Sequence, residues 1–499
     1  MSLQAHHENR PTRPRQIDNL EAKAQDVLRF LPSFRNLLRP INRLPSEILS
    51  SIARGVVKGN SNSSGMVLLT HVCRRWRESL ISIPENWSLI SNDLNEDLAA
   101  VCLQRAKAAP LEITIYIPFP FPQILESYVQ NTRNLTVNYI STIEQFTGIF
   151  PNFPASMPRL ESLELNSQAI FDEDWSINPF EAFTFPLKSL SLSGIPLYPP
   201  LVKIRTLTEL TLLYLEPLPL PLDAFLDFLE GNHSLKSADL DLTFAEPHPR
   251  NPQRRILNQL QYLSVKFMEP MHTQALITSM PLRRGAHLKI FLENGIAAMS
   301  EIGPDLLAAH LSNPLSPTFF QFKYKQYKMG ILLRGPGGEL SIKWRPNPEY
   351  PFPDFHWFPL ANVREFRLCH FGTAEGTVLD PPVFHPPLFP SLEALTIQCS
   401  PEYKTNVRQV LATLLSNPTS SPLLKTLAFL NCALSEELME ELTEFASERK
   451  KTLTSTWLYR VLIFHRDGNS PSAASIRKLR EYVRVVDVRM EDELPKDLT

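Results

Sequence analysis

One apolar motif, Leu-x-x-Leu-x-Leu, recurs through the chain and constrains its fold more than any other feature. Eight copies occur, some with another residue in place of a leucine. They begin at Leu160, Leu187, Leu207, Leu235, Leu260, Val363, Leu392 and Leu424. Within the first group of five and the second group of three, successive copies start 20 to 32 residues apart. This spacing predicts one structural unit repeated along the chain, and not the roughly three separate domains that length alone would suggest.

Each copy of the motif predicts a short β-strand. Alternate residues of a strand point to opposite faces, so the motif leucines face inward and the residues between them face outward. A single strand cannot bury such a face, whereas stacked copies share one core beneath a parallel sheet. A motif of this type at this period is the leucine-rich-repeat signature. The alternative is a set of unrelated amphipathic strands, which eight copies in one register make difficult to sustain.

The repeat is irregular, and residues 268–360 fit it poorly. Within them, the sequence around Leu340 predicts one further, degenerate strand. The glycines of residues 334–339 predict a turn, because no Gly-Lys-Ser/Thr follows them as it would in a phosphate-binding loop. After the last motif, we expect a helix opened by Ser435, then a strand, a helix and a strand that close the end of the array.

Charge and cysteine usage disfavour several classes of protein. The chain has 50 Lys and Arg against 52 Asp and Glu, a net charge of −2, so no overall field draws it to nucleic acid or anionic lipid. No uncharged apolar run reaches the roughly 18 residues of a membrane helix, and the first residues lack the apolar core of a secretory signal. The cysteines are Cys73, Cys102, Cys369, Cys399 and Cys432. Without a Cys-x-x-Cys pair, they favour a reducing compartment, cytoplasmic or nuclear, and neither a disulfide framework nor a zinc site.

The N-terminal residues carry helical patterns in place of the repeat. One helical face collects Leu20, Ala24, Val27, Leu28 and Leu31. Asp18 and Glu21 form a possible capping box at its start, and Pro32 is expected to end the helix. Residues 98–109 predict another helix, which runs into a strand at residues 111–117.

Residues 43–90 predict two amphipathic helices. Pro45 stands where the first begins, a position that tolerates a missing N–H. Its apolar face carries Ile48, Leu49, Ile52 and Val56, and the second helix repeats Leu68, Val72, Trp76 and Leu80 every four residues. Arg74, Arg75 and Arg77 fall on another side, which disfavours nucleic-acid binding because stacking and basic side chains would have to share a face. Cys73 lies among these arginines, but no histidine and acid are placed to make it a nucleophile.

The same residues resemble the F-box, a module of three helices. Its opening is matched by Leu44, Pro45, Glu47, Ile48 and Leu49, its second element by Val72, Cys73, Arg74 and Trp76, and its trailing tryptophan by Trp87. The match covers residues 41–90, about a tenth of the chain, and departs from the usual pattern in a long polar loop at residues 58–65. With the repeats that follow, the chain is similar to the F-box proteins of mushroom-forming (basidiomycete-type) fungi.

The resemblance implies an α/β protein, with an N-terminal three-helix F-box followed by an irregular leucine-rich-repeat solenoid with a parallel sheet. The expected parts are an N-terminal extension with an amphipathic helix (1–40), the F-box (41–90), connecting helices and first strands (91–145), the repeat array (146–434) and a C-terminal repeat or cap (435–499). It also implies a non-catalytic substrate receptor of a Skp–cullin–F-box ubiquitin ligase. The residues expected to bind the Skp-type adaptor, and through it a cullin, are Leu44, Pro45, Ile48, Leu49, Val72, Cys73 and Trp76.

The repeats would then hold an unidentified protein target. In the first group of strands the outward positions include Glu164, Glu209, Asp239 and Asp241, and Lys266 ends this acidic character. An ordinary solvated surface is one interpretation, and a site for a basic segment of the target is the sharper one.

Two rival functions stay open on the sequence. The first is a leucine-rich-repeat interaction scaffold outside any ligase, in which the F-box serves only as a stable cap. The second is an enzyme with its site in residues 268–360. No catalytic motif, metal-ligand spacing or cofactor loop is recognisable, so we expect no enzyme activity, no cofactor or metal, and neither a nucleic-acid nor a membrane partner.

Overall fold

The computed structural model describes most of the chain. The described residues are 13–59, 64–117, 127–140, 157–167, 186–195, 203–218, 221–244, 257, 259–266, 270–280, 285–292, 317–325, 328–336, 338–344, 358, 360–369, 389–399, 407–416, 421–432, 434–453, 457–465 and 470–490. The chain divides into two compact units. The first comprises Met1–Ala169 and Trp175–Phe185, and the second comprises Ile170–Asp174 and Pro186–Thr499.

The first unit begins with helices and continues into strands. Its helices and strands are α1 (Arg13–Leu37), α2 (Ser46–Gly59), α3 (Ser64–Thr70), α4 (Arg74–Ser82), β1 (Leu89–Ser91), α5 (Glu96–Ala106), β2 (Leu111–Tyr116), β3 (Thr132–Ile140) and β4 (Ser162–Ser167). Short 3-10 helices cover Pro40–Arg43, Pro84–Trp87 and Val129–Asn131. Residues 60–63, in the middle of the polar loop noted in the sequence, lie outside the described residues.

The N-terminal helix is longer than the sequence predicted. α1 starts at Arg13, so Asp18 and Glu21 do not form a capping box at its beginning. It also continues past Pro32 to Leu37. A proline inside a helix removes one backbone hydrogen bond but does not have to end the helix. The last turn is held by the side-chain amide of Asn42, whose Nδ2 donates to the carbonyl oxygen of Asn36 at 2.5 Å.

Two predicted apolar faces are arranged differently in the structure. On α2 the buried apolar residues are Leu49, Ala53 and Val57. Of the predicted face only Leu49 is buried, and Ile48, Ile52 and Val56 are exposed. The second predicted helix is two helices, because the chain is extended at Cys73, the residue before α4. The Arg77 side chain donates to the carbonyl oxygen of Thr70 at 3.1 Å and so satisfies the C-terminus of α3. The four-residue spacing of apolar positions therefore spans a break in the chain.

The strands of the first unit form a parallel sheet in the order β1-β2-β3-β4. β2 alternates buried and half-buried residues along its whole length, with Leu111, Ile113 and Ile115 directed into the core. α5 packs its buried face, which includes Cys102 and Leu103, within the same unit. Asn95 caps this helix, since its side chain accepts a hydrogen bond from the backbone of Leu98.

The second unit contains the remaining strands and helices. These are β5 (Ser189–Ser193), β6 (Glu209–Leu218), α6 (Leu222–Gly231), β7 (Ser237–Phe244), β8 (Tyr262–Lys266), α7 (Pro270–Ser279), β9 (Ala286–Leu292), β10 (Phe319–Lys325), β11 (Lys328–Gly335), β12 (Gly338–Trp344), β13 (Glu365–Cys369), β14 (Ala394–Gln398), α8 (Val407–Ser416), β15 (Thr426–Leu430), α9 (Glu436–Thr452), β16 (Arg460–His465), α10 (Ala473–Arg480) and β17 (Val485–Met490). A 3-10 helix covers Leu360–Asn362. Together they form an α/β arrangement around a long, mainly parallel open sheet.

All eight motif copies become strands, each of which begins two residues after the first motif position. The inward positions stack in register across neighbouring strands. Leu190 pairs with Leu210 and Leu192 with Leu212, and in the second group Leu395 lies between Phe366 and Leu427. All of these side chains are buried. Burying one such side chain stabilises the fold by roughly 1.5–3 kcal/mol, so the ladder of stacked leucines supplies the core of the sheet.

Residues 268–360, where the repeat pattern is weak, contain the one antiparallel strand among the described strands of the second unit. β9 pairs in parallel with β12, β12 and β10 each pair antiparallel with β11, and β10 pairs in parallel with β13. The predicted strand around Leu340 is therefore present as β12, and the predicted turn joins β11 to β12. Gly338 has φ of +135°, and a side chain there would clash with the carbonyl oxygen of Ala286. Only glycine fits this position.

The C-terminal elements follow the predicted order. Ser435 caps α9 by accepting a hydrogen bond from the Leu438 backbone at 3.3 Å, and a strand, a helix and a strand follow. The expectation for the cysteines was wrong in one respect, because Cys399 and Cys432 form a disulfide. Their separation of 33 residues is about one repeat, which places them side by side at the ends of β14 and β15.

Candidate functional site

In residues 41–90, which we call the helical segment, exposed apolar side chains form a row along α2. Ile48, Ile52 and Val56 follow one another at four-residue spacing and are 47%, 38% and 46% exposed. Leu44, four residues before Ile48, is half-buried at the start of the helix. We call these four residues the α2 row. Apolar side chains in a contiguous row on a folded surface commonly mark a protein interface.

Buried residues on the other side of the helix hold this row in place. Leu49 and Ala53 are completely buried, as is Leu80 of α4. Trp76 packs nearby in the same helical segment, and its indole Nε1 donates to Asn42 Oδ1 at 3.1 Å. Asn42 thus bonds to Asn36, which precedes α2 in the chain, and to Trp76 of α4, which follows it. These bonds fix the start of α2 relative to α4.

Trp87 and Asn86 complete the support of the helical segment. The indole Nε1 of Trp87 donates to the carbonyl oxygen of Leu80 at 2.9 Å, and the Arg105 guanidinium lies 4.2 Å from the centre of its ring. Asn86 accepts a hydrogen bond from the Ser50 hydroxyl at 2.5 Å and donates to the same Leu80 carbonyl at 3.2 Å. A buried network whose polar groups are satisfied makes the segment rigid, so the α2 row is presented on a fixed support.

The arginines of α4 serve local structure. Arg75 donates to the carbonyl oxygen of Leu44 at 2.7 Å, Arg77 to that of Thr70, and the exposed Arg74 pairs with Glu78 at 2.7 Å. Trp76 and Trp87 are buried, so neither ring can stack on a nucleotide base. A surface that binds single-stranded nucleic acid needs exposed aromatic rings beside basic groups, and these residues do not form one.

The predicted adaptor-binding residues divide into exposed and buried groups. Pro45, Ile48 and Val72 are exposed, and Leu44 and Cys73 are half-buried. Leu49 and Trp76 are buried, so in this structure they support the surface and do not form part of it. The predicted set omits Ile52 and Val56, although their four-residue spacing from Ile48 is visible in the sequence. It also omits Leu68 on α3, which is 68% exposed.

The two thiols of this unit, Cys73 and Cys102, lie in different surroundings. Burial raises the pKa of the Cys102 thiol to about 11, which keeps it neutral near pH 7. Cys73 is half-buried, and its sulfur lies 3.8 Å from Asn42 Oδ1. Within the described part of the chain, no group of three or more His, Cys, Asp or Glu residues is arranged to hold a metal ion.

The acids predicted to bind a target do not lie in equivalent environments. Glu164 belongs to the first unit, where its carboxylate accepts hydrogen bonds from Thr136 at 3.3 Å and Asn166 at 3.0 Å. In the second unit Glu209 is exposed, whereas Asp241 is 9% exposed. Asp239 forms an ion pair with Lys266 at 2.6 Å. Of the four acids, Glu209 alone is exposed.

The central strands of the second unit carry pairs of cations and aromatic rings that the leucine motif does not indicate. The Lys289 ammonium lies 5.0 Å from the centre of the Tyr262 ring, and Lys343 lies 5.2 Å from that of Phe291. Arg334 and Arg367 approach the Phe319 ring from neighbouring strands, at 5.5 and 5.1 Å. All of these residues are exposed or half-buried and lie on strands between residues 262 and 367. This part of the sheet face is therefore mixed in character and not acidic.

Comparison with protein-family models finds no match for this chain, and neither does comparison with curated proteins. Among the described helices, none combines the length and apolar character that a membrane crossing requires.

Proposed function

We propose that this protein is the substrate-recognition subunit of a Skp–cullin–F-box ubiquitin ligase. In this proposal residues 41–90 are an F-box that binds a Skp-type adaptor, and the adaptor links the chain to a cullin. The leucine-rich repeats bind a protein target, and other subunits transfer ubiquitin to it. The chain itself needs no catalytic residue or cofactor, and such a role places it in the cytoplasm or the nucleus.

The observation that carries the proposal is the α2 row. It begins with Leu44 and Ile48, which belong to the residues that match the F-box opening. Its residues Ile48, Ile52 and Val56 are apolar side chains that the helical segment leaves exposed. Leu49 and Trp76, which belong to the same match, are buried beneath it. A motif that divides into supporting residues and exposed residues is what a docking module requires.

The test is the affinity of the purified chain for a purified Skp-type adaptor, measured by calorimetry. We expect Ile48→Glu with Ile52→Glu to weaken binding about 30-fold or more, because a central apolar anchor contributes roughly 2 kcal/mol. Leu44→Ala with Pro45→Ala should weaken it in the same direction. Since all four residues are exposed or half-buried, circular dichroism should show an unchanged fold.

Leu423→Glu is the matched control, since Leu423 is a similarly exposed apolar residue in the second unit. It should leave adaptor affinity unchanged. Equal affinity of the parent and the Ile48→Glu/Ile52→Glu variant would refute the proposed interface. If the parent chain itself does not bind the adaptor, the function is that of an interaction scaffold outside the ligase.

We also propose that acidic residues of the repeats bind a basic segment of the target. The contacts of these acids reduce the number that can contribute. Lys266 already neutralises the charge of Asp239. Attraction of a basic target segment would therefore come mainly from Glu209, and one ion pair with an exposed acid contributes at most about 1 kcal/mol. The target is best sought by affinity purification of the chain under proteasome inhibition, with the adaptor-deficient Ile48→Glu/Ile52→Glu variant in parallel. A genuine target would accumulate on the variant.

A further inference from the structure

α1 presents a second apolar surface, separate from the α2 row. Six of its residues and the residue just after it are exposed and repeat at heptad spacing, three and four residues apart. The alternating a and d positions are Ile17, Leu20, Ala24, Val27, Leu31, Phe34 and Leu38, with Leu28 beside them at position e. The large residues among these are each more than half exposed. A heptad stripe of this kind is the sequence pattern of a coiled-coil seam.

The length of α1 makes the stripe large enough to matter. Because the helix continues to Leu37, the seam covers three heptads, where a helix ended by Pro32 would have offered two. Side chains exposed to this degree offer on the order of 600 Å² of apolar surface, close to the roughly 800 Å² that each partner buries in a stable interface. Pro32 falls at position b, outside the seam.

The sequence of the seam complements itself when a second α1 runs in the opposite direction. In that arrangement positions a and d face each other, and one register sets Ala24 opposite Phe34 of the second copy and Val27 opposite Leu31. The smallest seam residue then meets the largest in both halves. A parallel pair would instead set Ala24 against Ala24 and Phe34 against Phe34, which leaves one layer underfilled and another overfilled.

Charge favours the same register. The exposed residues Glu21 and Arg35 both occupy position e. In the antiparallel register, Glu21 of each copy lies beside Arg35 of the other copy. Two acid–base pairs thus flank the seam, and Leu28 of one copy meets Leu28 of the other at the centre. Shifting the register by one heptad removes both charge pairs and breaks the size match.

We propose that α1 joins two copies of this chain as an antiparallel helical pair through the seam Ile17–Leu38. The inference does not depend on the proposed ligase function, because it concerns the purified chain alone. Its partner is a second copy, identified by the complementary sizes and charges along a single helix.

Sedimentation equilibrium of the full chain from about 1 to 100 μM tests the association. We expect a monomer–dimer equilibrium in this range, at least tenfold weaker for Leu20→Glu with Val27→Glu. Glu21→Arg should weaken it through repulsion from Arg35, and adding Arg35→Glu should restore it. Asp18→Arg changes the net charge equally at position b, and it should have no effect.

The orientation is tested by oxidative cross-linking. Leu28→Cys should give a disulfide-linked dimer, because position e meets its own equivalent only in the antiparallel pair. Ala22→Cys, at position f on the outside, should not give one. A chain that is monomeric throughout the range overturns the proposal. So does a dimer that survives Leu20→Glu with Val27→Glu, or one in which charge reversal at Glu21 is not rescued at Arg35.

Discussion

At the scale of single residues, buried asparagines join elements that the sequence does not connect. Asn232, at the end of α6, is almost completely buried. Its Nδ2 donates to the carbonyl oxygens of Ile204 and Phe228 at 2.9 and 2.8 Å, and its Oδ1 accepts from the backbone of Leu207 at 3.0 Å. One side chain therefore satisfies three backbone groups that are otherwise out of reach of water. In the first unit, Asn42 likewise joins distant elements, through the carbonyl oxygen of Asn36 and the indole of Trp76.

Asn232→Ala should lower the free energy of unfolding by about 3 kcal/mol, because the carbonyl and N–H groups of three residues lose a buried partner. Urea denaturation followed by circular dichroism measures the change. Asn362→Ala is the control, since Asn362 is exposed, and its effect should stay within about 0.5 kcal/mol. Equal stability of the two variants would show that water replaces the Asn232 side chain at no cost.

At the scale of elements, strands were predictable and helix ends were less so. The leucine motif fixes which face of each strand is buried, so all eight strands follow from the sequence. The end of α3 depends on a side chain from outside that helix, because Arg77 donates to the carbonyl oxygen of Thr70. Another side chain joins α9 and α10 near their N-termini. The Glu436 carboxylate accepts hydrogen bonds from the Ser475 hydroxyl and, at 3.2 Å, from the backbone N–H of Ser472.

The hydrogen bonds from Ser475 and Ser472 lower the pKa of Glu436. A carboxyl whose pKa is lower in the folded chain stabilises the fold above its ordinary pKa, and the effect is lost as the pH falls through the folded value. The melting temperature of the parent should therefore exceed that of Glu436→Gln at about pH 7, and the difference should vanish towards about pH 3. Glu440→Gln, exposed on the same helix, is the control. A difference between parent and Glu436→Gln that persists unchanged at low pH would contradict this role.

At the scale of the whole molecule, the arrangement of repeats decides the state of the cysteines. Cys399 and Cys432 are brought together by neighbouring strands, Cys102 and Cys369 are buried, and Cys73 is half-buried. Reactivity with a thiol reagent requires access and the thiolate form. The raised pKa and burial of Cys102 deny it both, so the five cysteines should fall into distinct classes.

Titration near pH 8 with an aromatic disulfide that releases a coloured thiolate should detect one thiol in the native chain, that of Cys73. The denatured chain should show three thiols without reductant and five after reduction. Cys73→Ser should lower each count by one. Five thiols in the unreduced, denatured chain would show that Cys399 and Cys432 are not bonded.

The sequence by itself determined which residues form the repeated strands, because alternating leucines place one face of each strand in the core. It also indicated a candidate interface in residues 41–90, where the motif residues are grouped. The tertiary structure decided which side of α2 is covered, that α1 continues through Pro32, and that β11 runs against its neighbours. It also decided that Arg449 is completely buried, where its guanidinium donates to the Leu424 carbonyl at 2.9 Å and burial lowers its pKa to about 10. These features depend on contacts between residues far apart in the chain, and local patterns do not specify them.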